Sequence, residues 1–219
     1  MQQAAFALFD FDKTLSRGDS VLPFLFYCIG RGEAPWYQAF KALGGYLDQK
    51  LHPERIALAK ERTLSFLAGR TRDEVDALAR DFFRDRLKKR LYPQGLAELG
   101  RLKKEGYRIL IVSASASAYM EVLPEFLPVD GVISTVCGLD EDGRYNGRVG
   151  ENCKGVQKPL RIAEYLAANH SMLNYETSRA YGDSASDASM LSLVREKVLV
   201  NPAAGLRRAV PDGKVVHWG

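Results

Sequence analysis

Ala4-Ala5-Phe6-Ala7-Leu8-Phe9-Asp10-Phe11-Asp12-Lys13-Thr14 is a run of six apolar residues that meets two carboxylates at its end. A short, unbroken apolar run is the pattern of a strand buried on both faces, as in a parallel sheet. In extended backbone alternate side chains point the same way, so Asp10 and Asp12 can face one pocket. Two carboxylates so placed repel, unless a cation sits between them or one of them holds a proton.

Working outward, three further runs end in the same manner. Tyr107 to Val112 ends at Ser113, Arg179-Ala180-Tyr181 leads into Gly182-Asp183, and Lys197 to Val200 leads into Asn201-Pro202. In an open α/β sheet this carboxyl edge is where ligands bind. Helical patterns separate the runs. Leu96 to Glu105 puts Leu96, Leu99 and Leu102 on one face and stops at Gly106. Pro159 to Ala168 starts with a proline suited to a first turn, and Ser186 to Val194 is a further short helix. Asp140 to Val149 carries two turn signals and fits a hairpin. Residues 16–90 differ: they are amphipathic and helical with no strand run, and Thr71-Arg-Asp-Glu74 has the form of a capping box. The expected fold class is α/β, a parallel sheet flanked by helices, with an inserted all-helical unit. Residues 1–15 and 91–219 would form the core and 16–90 a cap.

Composition narrows the setting. The 219 residues are 46% apolar, enough for a sizeable core, and the formal charge is +4. No run of five or six like charges points to nucleic acid. Cys28, Cys137 and Cys153 are odd in number and widely spaced, which suits neither a disulfide framework nor a zinc site. The N-terminus lacks the basic region of a secretory leader, and Val21 to Ile29 is far shorter than a membrane span. A soluble protein in a reducing cytoplasm, monomeric or homodimeric and without stable membrane insertion, is the expectation.

The chemistry-bearing residues form a series. Gly182-Asp183-Ser-Ala-Ser-Asp187 adds two acids, which share a face if a helix begins there. Hard oxygen donors of this kind suit Mg²⁺. Ser113 ends a strand and Lys158 precedes a helix, supplying a hydroxyl and an ammonium. A transferring phosphoryl group needs both, because its oxygens carry the developing charge.

On these residues the chain resembles the haloacid dehalogenase superfamily, in particular its phosphoserine-phosphatase-like branch. Asp10-Phe-Asp12-Lys-Thr14, Ile109-Leu-Ile-Val-Ser113 and Gly182-Asp183 to Asp187 match three family motifs in family order. The resemblance implies that Asp10 is the nucleophile and Asp12 the general acid/base. It implies that Mg²⁺ is held by Asp10, the Asp12 carbonyl and Asp183, with Asp187 completing the acidic cluster directly or through water. Ser113, the Ala114 amide and Thr14 would serve the phosphate. Cys153-Lys-Gly155-Val-Gln-Lys158 resembles the branch's lysine element and favours Lys158, while a Lys-Gly-Glu form would point to Lys154. Asp19 lies nine residues past the nucleophile, where phosphoserine phosphatases place a Glu that reaches the substrate's amino group; a helix N-cap before Ser20 explains it equally.

The function so implied is Mg²⁺-dependent hydrolysis of a small phosphorylated metabolite through an aspartyl-phosphate. One alternative is a lipid head-group phosphatase of the phosphatidylglycerophosphatase C type. Another is a non-catalytic ligand-binding or regulatory protein. Asp12 disfavours dehalogenation, since a halide needs no proton, and no specific signal marks a Schiff-base lysine in the cap. Core packing is expected for Phe24, Phe26, Tyr27, Trp36, Tyr37 and Phe40, with a substrate-facing wall as the other reading. His52, His170 and His217 are scattered along the chain and read as surface or structural residues rather than catalytic ones; the cysteines read as buried filler.

Overall fold

The computed structural model describes residues 2–52 and 55–219; Met1, and Pro53 and Glu54 within the helical stretch, lie outside the described residues. In chain order the elements are β1 (Gln2–Ala4), β2 (Phe6–Phe9), α1 (Val21–Gly30), α2 (Gln38–Leu51), α3 (Ile56–Leu64), α4 (Arg72–Asp85) and α5 (Pro93–Lys104). β3 (Arg108–Ala116), α6 (Ser117–Met120), β4 (Gly131–Thr135), β5 (Cys137–Leu139), β6 (Tyr145–Val149) and α7 (Gln157–Ala168) follow. The chain ends with β7 (Ser171–Leu173), β8 (Arg179–Gly182), α8 (Ala188–Leu191), β9 (Glu196–Val200), α9 (Ala204–Ala209) and β10 (Lys214–Val216).

Six strands form one parallel sheet in the order β10-β9-β8-β2-β3-β4. The period-2 alternation of its strands splits the interior in two. Ala7, Phe9, Ile109, Ile111, Tyr181, Val198 and Val200 join a cluster with α1, α4, α5 and α6. Phe6, Leu8, Leu110, Val112, Ala180 and Leu199 join another with Ile162 of α7, Met190 and Leu191 of α8 and Leu206 of α9. Burial on both faces is why these strands read as unbroken apolar runs. The α/β class expected from sequence is the class observed.

The departures have local causes. The first run is two strands: β1 pairs with β7, and β2 enters the sheet. Between them the Ala5 carbonyl turns to accept from the Arg108 amide. The helix expected from Ser186 begins as a 3₁₀ turn, Ala185–Asp187, because Ser184 and Asp187 cap one another reciprocally; only Ala188–Leu191 is α-helical. The hairpin is present with its first strand earlier than expected, at Cys137–Leu139. Strands β4, β7 and β10 were not foreseen. The Thr71–Glu74 capping box forms as expected, with both of its reciprocal hydrogen bonds.

Helices α1 to α4 all lie between β2 and β3 in sequence. α1 and α4 share the sheet's own hydrophobic cluster through Phe24, Leu25, Val75, Ala79 and Phe82. α2 and α3 pack closely at Gly45, where a Cβ would meet the Ala59 Cα at 3.1 Å. The aromatic group splits. Phe24 and Tyr27 are buried, whereas Phe26, Trp36, Tyr37 and Phe40 are exposed, against the expectation of core packing. Apolar residues can stay exposed because a surface lacks polar area to cover it fully, but a contiguous stripe is less ordinary.

Candidate active site

Strand order reverses at β2, with β3 on one side and β8 on the other. The carboxyl end of β2 therefore opens into the crevice that such a switch creates. Asp10 stands there, its amide donating to the Tyr181 carbonyl at 2.9 Å and the preceding Phe9 ring stacked on Tyr181. The next residues turn tightly. The Phe11 carbonyl accepts from the amides of Thr14, Leu15 and Ser16, and Lys13 takes a left-handed φ of 63°. This turn returns Thr14 beneath the carboxylates. Its hydroxyl donates to Asp10 Oδ2 at 3.1 Å and lies 3.5 Å from Asp183 Oδ1. Thr14 is fully buried, behind the cavity wall rather than in it.

Lys158, from the first turn of α7, is buried with its ammonium 2.7 Å from both Asp10 Oδ1 and Asp187 Oδ1. Lys154, the other candidate, is exposed at the cavity rim. The buried pair of acids strengthens the Lys158 ammonium and raises its pKa despite burial. Burial pushes the Asp10 carboxyl up to about 7, against the pull of Lys158. Asp183 is pushed up to about 6, first by burial and then by the charge of Asp187. Carboxylate oxygens of Asp10, Asp183 and Asp187 lie within 4.8 Å of one another.

Asp12 has a different environment. Its Oδ2 accepts from Ser115 Oγ at 2.5 Å, and its buried Oδ1 has no hydrogen-bond partner among the described residues. Burial raises its pKa, with the Ser115 hydroxyl acting the other way. Ser115 in turn meets Ser20 Oγ at 3.0 Å, and Ser20 meets the Tyr119 hydroxyl at 3.1 Å. Ser113 is buried and accepts from the Ser115 amide at 3.0 Å. The cap reading of Asp19 does not hold: Ser20 occupies the N-cap of α1, and Asp19 instead pairs with Lys13 at 3.1 Å on the cavity rim.

These groups line a cavity of about 410 Å³, with Asp10, Asp12, Ser113, Ala114, Lys158, Asp183 and Asp187 at its floor. Ala42 and Tyr46 of α2 and Ile56, Ala59, Lys60 and Thr63 of α3 form an opposing wall. Sequence reasoning missed Lys60, Ser115 and Ser20. A lone lysine in an amphipathic helix has no signature, although the Ser-Ala-Ser-Ala-Ser run from 113 to 117 marks a strand end rich in hydroxyls.

Known proteins resemble the chain in sequence and in fold. The model of the haloacid dehalogenase-like hydrolase family matches residues 7–192. Phosphoserine phosphatase SerB1 of Mycobacterium tuberculosis is 30% identical over 214 residues, covering 93% of this chain and 67% of that protein. A Bordetella pertussis protein of unknown function superposes with a TM-score of 0.84 at 24% identity, covering 99% of this chain and 98% of that one. A phosphoserine phosphatase solved as a phospho-aspartyl intermediate analogue superposes at 0.64 and 18% identity, covering 98% and 94%. The chain belongs to the haloacid dehalogenase-like hydrolases, on a branch similar to the phosphoserine phosphatases.

Proposed function

We propose that the protein is a phosphomonoesterase that works through an aspartyl-phosphate on Asp10, with residues 16–90 as its cap. The observation that carries this is the unlike setting of its two leading carboxyls. Asp10 lies against the Lys158 ammonium, which favours a charged nucleophile. Asp12 is half-buried, with its Oδ1 buried and unpartnered among the described residues, which favours retention of a proton. In the first step an Asp10 oxygen bonds to phosphorus as the phosphorus–oxygen bond to the leaving group breaks. The Asp12 proton passes to that leaving oxygen. In the second step Asp12 takes a proton from water, whose oxygen attacks phosphorus and releases Asp10 and inorganic phosphate. Ser113, the Ala114 amide and Lys158 would hold the phosphoryl oxygens, with Thr14 orienting Asp10 from behind.

The donor set fits Mg²⁺: three clustered carboxylates that burial and mutual repulsion leave short of positive charge. Asp10, Asp183 and Asp187, with the Asp12 carbonyl, would hold it. The ion would supply charge neutralisation at the phosphoryl group. A small phosphorylated metabolite suits the cavity, with Asp19 at its rim available to a cationic substituent. Asp10→Asn should lower turnover of a generic aryl phosphate by on the order of 10³-fold or more, while the thermal midpoint stays near that of the parent. Chelation should abolish turnover and added Mg²⁺ restore it. Near-normal rates in either arm overturn the mechanism.

One observation favours a second reading, a phosphate borne on a lipid head group. Ala42 and Tyr46 line the cavity, while Trp36, Phe40, Leu43 and Leu47 leave an apolar stripe exposed on and beside the same helix. No described helix is long and apolar enough to cross a membrane. Sedimentation with phospholipid vesicles separates the readings, since an enzyme of soluble metabolites stays in the supernatant.

A further inference from the structure

Helix α3 sends Lys60 across to the core, where its ammonium donates to the Ala114 carbonyl and to Asn152 Oδ1 and lies 3.4 Å from Thr135 Oγ1. All three partners are neutral. Burial disfavours the charged form and pushes the pKa of Lys60 down to about 8, against the attraction of the Asp12 charge and with the repulsion of Lys154. An apolar side chain of similar length would fill the space without that cost, so the ammonium needs a reason beyond packing.

The partners supply one. The Thr135 hydroxyl donates to the Ala114 carbonyl at 2.7 Å, and the Cys153 amide donates to the Thr135 hydroxyl at 3.1 Å. Lys60 thus gathers three core stretches: the end of β3, the end of β4, and the 152–158 connection that delivers Lys158. The peptide unit joining Ala114 to Ser115 is planar, so fixing its carbonyl also fixes its N–H. That N–H is the one donated to Ser113 Oγ, and the Ser115 side chain is the one donated to Asp12.

We infer that Lys60 is a positioning residue: it pins the Ala114–Ser115 peptide and Asn152 from the helical insertion, so that the Ser113–Ser115 turn and Asp12 keep their working geometry only while α3 is seated on the core. This rests on the phosphatase reading for its kinetic consequence, though not for its structural one. Misplacement by about 1 Å in such a site can cost about 10²-fold in rate. Lys60→Met should therefore lower kcat for an aryl phosphate by roughly 10- to 100-fold with KM changed little. Asn152→Ala should behave alike, and the double variant should lose no more than the worse single one, because both remove the same link. Hydrogen–deuterium exchange supplies a readout free of activity. In Lys60→Met, amides 113–116 and 152–158 should exchange faster by about 10-fold or more, while β2 is unchanged.

Parental kcat in Lys60→Met, a rise in KM alone, or additive losses in the double variant would each overturn the proposal. So would unchanged exchange at 113–116. Should Lys60→Met fail to fold, Asn152→Ala carries the same kinetic and exchange arms. A parent protein with no turnover on any phosphate defeats the phosphatase reading, and the exchange result then decides the role of Lys60 by itself.

Discussion

Gly182 shows how closely the residues of the site approach one another: a Cβ there would fall 2.6 Å from the Asp187 Cβ. The glycine ahead of Asp183 is thus a packing requirement that lets the second acidic pair fold back under Asp10. Lys158 is the other residue on which the arrangement depends, because it places a cation between two buried carboxylates. Lys158→Met leaves Asp10 and Asp187 to face each other. Removing one partner of a buried charge set costs about 3–5 kcal/mol, which for a chain of this size lowers the thermal midpoint by about 10 °C. In chelator, burial no longer opposed by Lys158 holds the variant's Asp10 carboxyl above its value in the unfolded chain. Its deficit is therefore largest at neutral pH and shrinks as acidification protonates Asp10. Melting both proteins at pH 7 and pH 5 checks this, and a deficit that grows on acidification would contradict it.

At the scale of elements, local signals were reliable where a single helix turn settles them. The capping box at Thr71 is one: its hydroxyl accepts from the Glu74 amide while the Glu74 carboxylate accepts from the Thr71 amide. α4 then buries Val75, Leu78, Ala79, Phe82 and Phe83 along one stripe. Thr71→Ala should cost about 1 kcal/mol, a fall of about 2–4 °C in the thermal midpoint with turnover unaffected; an unchanged midpoint would show the cap to be idle. The short strands were illegible for the opposite reason. Ser171–Leu173 and Lys214–Val216 are three residues each, and their pairing depends on β1 and β9 being in place. Asp19 likewise had two readings in sequence, and only the start of α1 at Ser20 removed one of them.

Across the whole molecule, the two hydrophobic clusters on the sheet's faces leave all three thiols inside. Cys28 is pushed up to about 12 by burial, and burial also raises Cys137 and Cys153. The thiolate is the reactive form, so raised values leave little of it at pH 8. Titration with an aromatic disulfide at pH 8 should proceed at least about 10²-fold more slowly in the native protein than in denaturant, where all three thiols react. Rapid reaction of one native thiol would place a cysteine outside these clusters. The same continuity binds α1 and α4 to the sheet, while α2 and α3, with Val21 and Leu22 of α1, line the cavity opposite the carboxylates.

The order of motifs, the parallel sheet and the acids at strand ends were written in the sequence. Each rests on a short-range regularity: an apolar run, a spacing of two or four, a glycine before an acid. The place of the Lys158 ammonium between Asp10 and Asp187, the chain of hydroxyls to Asp12 and the reach of Lys60 were decided only by the tertiary structure. The contacts of Lys60 with Ala114, of Ser115 with Asp12 and of Lys158 with Asp10 join residues 54, 103 and 148 positions apart. Nothing in a single stretch of chain encodes which distant oxygen an ammonium will meet; the packing of α3 and α7 against the sheet does.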